Sequence, residues 1–217
     1  MTLTLTVELL CEESRKFAKA ESQHEEPALF GVTDGKAVGT YFEHKLQKHL
    51  RGKYSCQEGS SATGIDFPDL EVDMKVTSIA QPQSSCPFRS ARQKIFGLGY
   101  SLLVFVYEKH DNPKRKTGRL DIQHVIYVDK SRTADYQITM GIKQIMENQG
   151  NIDDLVAFMK DRYLPVDDIV ASEIANEILR NHPNIGYLTI SNALQWRLQY
   201  RRIIQEAGQV NGVRRIL

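Results

Sequence analysis

Apolar positions recur at helical spacing through the first part of the chain. The spacing predicts a helix over about Val7–Ala20 and a second over Lys36–Leu50, where Val38, Phe42, Leu46 and Leu50 share one face. An acidic, polar stretch running to Pro27 separates them. Cys56–Gly64 is rich in Ser and Gly and reads as a loop. The pattern then changes to period two. From Leu70 to Thr77, the side chains of Leu70, Val72, Met74 and Val76 fall on one face of a strand. Asp69, Glu71, Asp73, Lys75 and Thr77 fall on the other. Ser90–Gly97 reads as a short helix closed by glycine. Leu102–Tyr107 reads as a buried strand and Gln123–Val128 as another, with Lys109–Gly118 as a turn or exposed hairpin loop between them. Asp135 to about Asn181 reads as mostly helical, broken near Gly150 and Pro165. After a turn at Pro183–Gly186, Ser191 is placed to cap a last long helix to about Ala207. Helices, then strands, then helices predict a layered α/β domain over residues 1–217, a central mixed sheet flanked by helices.

Composition narrows the class. At 217 residues, 41% hydrophobic and 25% charged, the chain is an ordinary globular one, and disordered or collagen-like chains are excluded. The longest strongly apolar run, Ser101–Tyr107, is far short of a membrane span. No basic-then-apolar leader opens the sequence, so a cytoplasmic location and no membrane partner are expected. Cys11, Cys56 and Cys86 are odd in number and form no C-x-x-C pair, which argues against a disulfide framework or a cysteine zinc site. The six histidines show no metal-ligand spacing. There is neither a Walker loop nor a G-x-G-x-x-G, so no nucleotide cofactor is expected. The net charge of +1 hides an uneven distribution. Met1–Phe30 carries six acids against three bases, a segment for which the sequence suggests no role. Lys109–Arg119 carries five bases against Asp111, and Tyr187–Leu217 five arginines against Glu206. Two basic segments on a neutral chain suit a polyanion.

The period-two strand carries the chemistry. Asp73 and Lys75 are two apart and leave the strand side by side. Asp66 lies just before it, near Pro68, and can reach the same end. Close carboxylates repel unless a cation sits between them, and hard oxygen ligands suit magnesium. A lysine beside that cation can hold an attacking water or stabilise charge on a phosphate. Glu71 shares the face and is a possible further ligand. Glu43, at the edge of the second helix's apolar stripe, can turn toward the strand end. An ordinary half-buried strand with a solvated face has the same alternation.

Gly64–Ser78 resembles the metal-binding motif of the PD-(D/E)xK nuclease superfamily, to which many type II restriction endonucleases belong. More narrowly it is similar to the methyl-directed mismatch-repair nicking endonuclease MutH and its restriction-enzyme relatives. An Asp-Phe opens the motif, and an acidic-x-Lys follows at the offset of Asp66 to Asp73 and Lys75. Asp34–Glu43 resembles the family's glycine-containing helix ending in an acid. The resemblance implies a restriction-endonuclease-like core, with Asp66 and Asp73 on Mg2+, Lys75 as the catalytic lysine and Glu43 in support. Asp73 stands where relatives usually carry Glu. Lys94 matches a further lysine near the family's site, and Tyr187 a tyrosine that touches DNA.

A nuclease also needs groups that hold and read DNA. On the expected last helix, Ala193, Trp196, Tyr200, Ile203, Ile204 and Ala207 would face the core. Gln195, Gln199 and Arg202, flanked by Arg197 and Arg201, would form the polar face. Lys114, Arg115 and Lys116 in the basic loop, and Lys130 and Arg132 after a strand, are candidates to grip backbone. The expectation is a magnesium-dependent type II restriction endonuclease acting on double-stranded DNA as a homodimer, since a palindromic site mirrors two-fold symmetry. A repair nickase and a non-enzymatic DNA-binding protein are the alternatives.

Overall fold

The structure, a computed structural model, describes residues 3–55, 64–85, 90–191 and 196–217. In chain order its elements are β1 (Leu3–Thr4), α1 (Val7–Glu21), α2 (Gly35–Arg51), β2 (Tyr54–Ser55), β3 (Val72–Ser78), β4 (Gln83–Ser85), α3 (Arg92–Phe96), β5 (Ser101–Asn112) and β6 (Thr117–Val128). They continue with α4 (Tyr136–Glu147), α5 (Ile152–Asp161), α6 (Asp168–Arg180), β7 (Thr189–Ile190), β8 (Arg197–Gln199), α7 (Arg201–Glu206) and β9 (Val213–Arg215). They form two compact units. The first comprises residues up to Ser84, Ser101–Val128 and Glu206–Leu217; the second comprises Ser85–Tyr100 and Asp129–Gln205.

In the first unit a four-stranded mixed sheet runs in the order β3-β5-β6-β9. β3 is parallel to β5, while β5–β6 and β6–β9 are antiparallel. Two helices cover one face. α1 begins at Thr6, whose hydroxyl accepts from Leu9 N at 3.3 Å. α2 begins at Asp34, whose carboxylate accepts from Lys36 N and Ala37 N at 3.1 and 3.2 Å. Each cap satisfies backbone donors that the first turn leaves unpaired. The apolar stripes of both helices, among them Leu10, Phe17, Val38, Phe42, Leu46 and Leu50, bury against Val72, Met74, Leu103, Phe105 and Tyr107. Leu102, Val104 and Val106 on the opposite face of β5 are equally buried, which is why that strand reads as an unbroken apolar run. Polar groups tie α1 to α2 as well. The buried Glu13 accepts from His49 and Lys53, and the buried Glu21 accepts from the Tyr41 hydroxyl at 2.7 Å and pairs with Lys45 at 2.8 Å.

In the second unit α3 to α6 close around Ile95, Ile138, Ile142, Leu155, Met159, Ile174 and Ile178. Asp135 fixes its geometry from the inside. This buried carboxylate caps α4 through Ile138 N at 3.0 Å and accepts from Ile190 N at 2.7 Å. β7 and β8 pair antiparallel. Among the described residues no helix is long and apolar enough to cross a membrane.

Three expectations change. The motif strand begins at Val72, because Pro68–Leu70 forms a 3-10 turn and Glu71 adopts a left-handed conformation at φ 51°. Lys109–Gly118 is not all loop. β5 runs to Asn112 and β6 starts at Thr117, so only residues 113–116 turn, with Lys116 at φ 53°. The last long helix is absent from the described residues. Arg197–Gln199 is strand, and α7 spans only Arg201–Glu206. Backbone pairing of Ile190 with Leu198 overrides the helical spacing of Trp196, Tyr200 and Ile203. Tyr200, Ile203 and Ala207 are buried nonetheless, while Ala193 and Gln195 lie outside the described residues.

Candidate active site

The site forms where the chain enters β3. Phe67 and Val72 exchange backbone hydrogen bonds of 2.9 and 3.2 Å around the Pro68–Leu70 turn. This isolated antiparallel bridge sets Asp66 opposite Asp73. Asp66 is then fixed by a 2.7 Å hydrogen bond from Met74 N to its Oδ2. Left-handed Glu71 turns the chain from the 3-10 turn into the strand. Its side chain is exposed and precedes the strand, so it does not share the Asp73 face in the way strict alternation implies.

Asp73 and Lys75 do share a face. Their neighbours in the sheet are Leu102 and Val104, both fully buried. The Asp73 side chain is 3% exposed and that of Lys75 20%, and Lys75 Nζ stands 2.6 Å from Asp73 Oδ2. That oxygen makes no aligned hydrogen bond, so the contact is an ion pair. Burial pushes the Asp73 carboxyl up to about 7. Lys75 opposes the rise and Asp66 adds to it. Glu43, half-buried on α2, completes the group. Burial and then the Asp66 charge push its carboxyl above the usual range, and Gln47 Nε2 lies 3.4 Å from its Oε1. Asp66 and Lys75 therefore each act on both Asp73 and Glu43, and they do so around a buried carboxylate, where charges interact more strongly than in water.

Among the described residues no three acidic, histidine or cysteine side chains are gathered so as to hold a metal ion by themselves. The donor set nevertheless suits a hard cation that keeps part of its own water shell. Asp73 offers a buried carboxylate oxygen with no hydrogen bond, burial disfavours its charged form, and Asp66 adds a second carboxylate close by.

The other candidates are dispersed. Lys114, Arg115 and Lys116 are exposed at the hairpin tip in the first unit, with Arg115 paired to Glu25 at 3.2 Å. Lys94, Tyr187, Arg197, Gln199, Arg201 and Arg202 belong to the second unit. Lys94 is buried on α3 with Nζ 4.5 Å from the Trp196 ring. Burial lowers its ammonium below the usual lysine range, against the pull of Asp135. Gln199 and Arg201 are exposed; Tyr187, Arg197 and Arg202 are half-buried. Two participants escaped sequence reasoning. One is Gln47, one helical turn beyond Glu43 and legible in principle from i,i+4 spacing. The other is Tyr136, whose ring lies 3.7 Å beneath the Arg202 guanidinium; nothing in the sequence links these distant positions.

Comparison with known proteins bears on nearly the whole chain. Residues 4–215 match the family model described as type II restriction enzyme NspV. A curated protein of that name from Nostoc sp. (strain ATCC 29411 / PCC 7524) is 63% identical over 209 residues, covering 96% of this chain and 95% of the relative. No solved structure matches.

Proposed function

The chain belongs to the family of the type II restriction enzyme NspV, and from that premise we propose that it is a type II restriction endonuclease. It hydrolyses phosphodiester bonds at a specific double-stranded DNA sequence with Mg2+ and leaves 5′-phosphate ends. The observation that carries the reading is the pairing of buried Asp73 with Lys75 beside Asp66, at a strand entrance whose spacing resembles the PD-(D/E)xK and MutH motif. On the same reading the mixed sheet is a restriction-endonuclease-like core, and both compact units belong to one endonuclease domain acting in the cytoplasm as a homodimer.

Asp66 and Asp73 would hold the magnesium. When bound, it supplies positive charge to the phosphate and favours deprotonation of water. The protein's own groups do the rest. Met74 N fixes one Asp66 oxygen and so orients the carboxylate that acts on Asp73 and Glu43. Lys75, tied to Asp73 in this state, is placed to donate to the attacking water or to a phosphate oxygen as negative charge develops there. Glu43, beside Asp66, can take up a proton, because burial and the Asp66 charge favour its neutral form. DNA would be gripped by Lys114, Arg115 and Lys116 and by the Tyr187, Arg197, Gln199, Arg201 and Arg202 groups.

The test is to incubate the purified protein with unmethylated phage DNA in magnesium and in EDTA. Discrete fragments in magnesium alone, with ends that map to one short sequence, are expected. Single-strand nicks alone would favour a nickase. Intact DNA with retained binding would remove the enzymatic reading.

A further inference from the structure

The second unit contains an aromatic and cationic cluster that the carboxylate site does not use. The Arg202 guanidinium lies 3.7 Å from the centre of the Tyr136 ring. The Tyr136 and Tyr187 ring centres are 5.9 Å apart, and the Arg132 guanidinium lies 5.9 Å from Tyr187. The order is arginine, tyrosine, tyrosine, arginine. The backbone braces it, since Tyr187 N donates to Arg132 O and Tyr136 N to Leu188 O, each at 2.9 Å. Arg132 is further held by the Ile185 carbonyl at 3.3 Å. Arg202 differs. Its Nε is buried, yet it makes no hydrogen bond, and no carboxylate pairs with the side chain among the described residues. A buried donor of this kind is costly to leave unmade.

We propose that Arg202, held against the Tyr136 ring, is a contact to a DNA backbone phosphate, and that Tyr136 is its positioning residue. This rests on the endonuclease reading. Contact with the ring restricts the guanidinium and removes rotational freedom before DNA arrives, so that its donors are positioned in advance for a phosphate. The repetition of the unit, with a second arginine on Tyr187, suits a ligand whose charges repeat along a strand better than one base edge.

The test measures binding of the full-length protein to duplexes with and without the mapped cleavage site, with calcium replacing magnesium, across a salt series. Arg202→Ala should weaken both duplexes alike, roughly tenfold, and lower the slope of log affinity against log salt by about one. Tyr136→Leu should move both readouts the same way, and Tyr136→Phe, which keeps the ring, should restore them. Arg202→Lys should keep much of the salt slope while losing affinity. Circular dichroism and melting of each variant would confirm folding. A loss confined to the duplex carrying the site would make Arg202 a base reader and overturn the proposal. So would wild-type affinity and slope in Arg202→Ala, or a Tyr136→Phe variant as weak as Tyr136→Leu. A wild-type protein that neither binds nor cuts duplex DNA would defeat the endonuclease reading, and this inference with it.

Discussion

Lys75 Nζ lies 2.6 Å from Asp73 Oδ2 on one face of β3, and Asp66 acts on the same carboxylate. The pair is an acid that burial pushes toward neutrality and a base that keeps it charged. Replacing Lys75 with Ala should reduce the rate of DNA cleavage by roughly 10^2–10^3-fold, the scale for losing one positioned donor to a developing anion. DNA binding should be largely kept. Single-turnover cleavage and gel shifts on one preparation would check this. Normal cutting by the variant would show that Lys75 is not the donor.

Asp73 is expected to lower the stability of the empty protein. Its carboxyl is raised to about 7 by burial, so folding favours the protonated form. Ionisation costs stability progressively as pH rises from the unfolded value near 4 through about 7. Asp73→Asn, inactive on this reading, should therefore match the wild type near pH 4 and exceed it at pH 8 by roughly 1–3 kcal/mol. Adding magnesium should narrow the gap by stabilising only the wild type. Urea titrations at both pH values, with and without the metal, measure it.

Glu13 should act in the opposite direction. Burial alone would raise its carboxyl, but hydrogen bonds from Lys53, His49 and Lys16 hold it down at about 2. A depressed folded value stabilises above the unfolded value near 4.5, and that contribution disappears as pH falls toward 2. Glu13→Gln should cost roughly 1–2 kcal/mol at pH 7 and little at pH 2. Equal losses at both pH values, by thermal melting, would assign the effect to packing.

Asp135 holds the second unit by two buried backbone hydrogen bonds, to Ile138 N and Ile190 N. Asp135→Ala leaves both donors unpaired. It should destabilise the protein by roughly 2–4 kcal/mol, combining a lost helix cap with a buried unsatisfied amide. Asp135→Asn, which retains an acceptor, should lose less. Chemical denaturation of the two variants compares them directly.

Much of the first unit was legible because its apolar positions repeat without interruption. Val38, Phe42, Leu46 and Leu50 mark the inner face of α2, and Val72, Met74 and Val76 the inner face of β3. Such spacing follows from backbone geometry alone. The C-terminal segment misled for the same reason. Trp196, Tyr200 and Ile203 have helical spacing, yet Leu198 pairs with Ile190 in a strand, a long-range contact that no local pattern encodes.

The sequence by itself determined which side chains share a face of β3. Residues two apart on a strand leave side by side, which places Asp73 beside Lys75, and the sequence likewise determined the helix stripes that bury the core. Tertiary structure alone decided three things. The Phe67–Val72 bridge brought Asp66 opposite Asp73, and burial of Asp73 beside Leu102 shifted its proton equilibrium. The fold of the second unit laid Arg202 on Tyr136. The last two depend on groups distant in sequence brought together by the fold. Desolvation is a property of that packing, and no short stretch of sequence contains it.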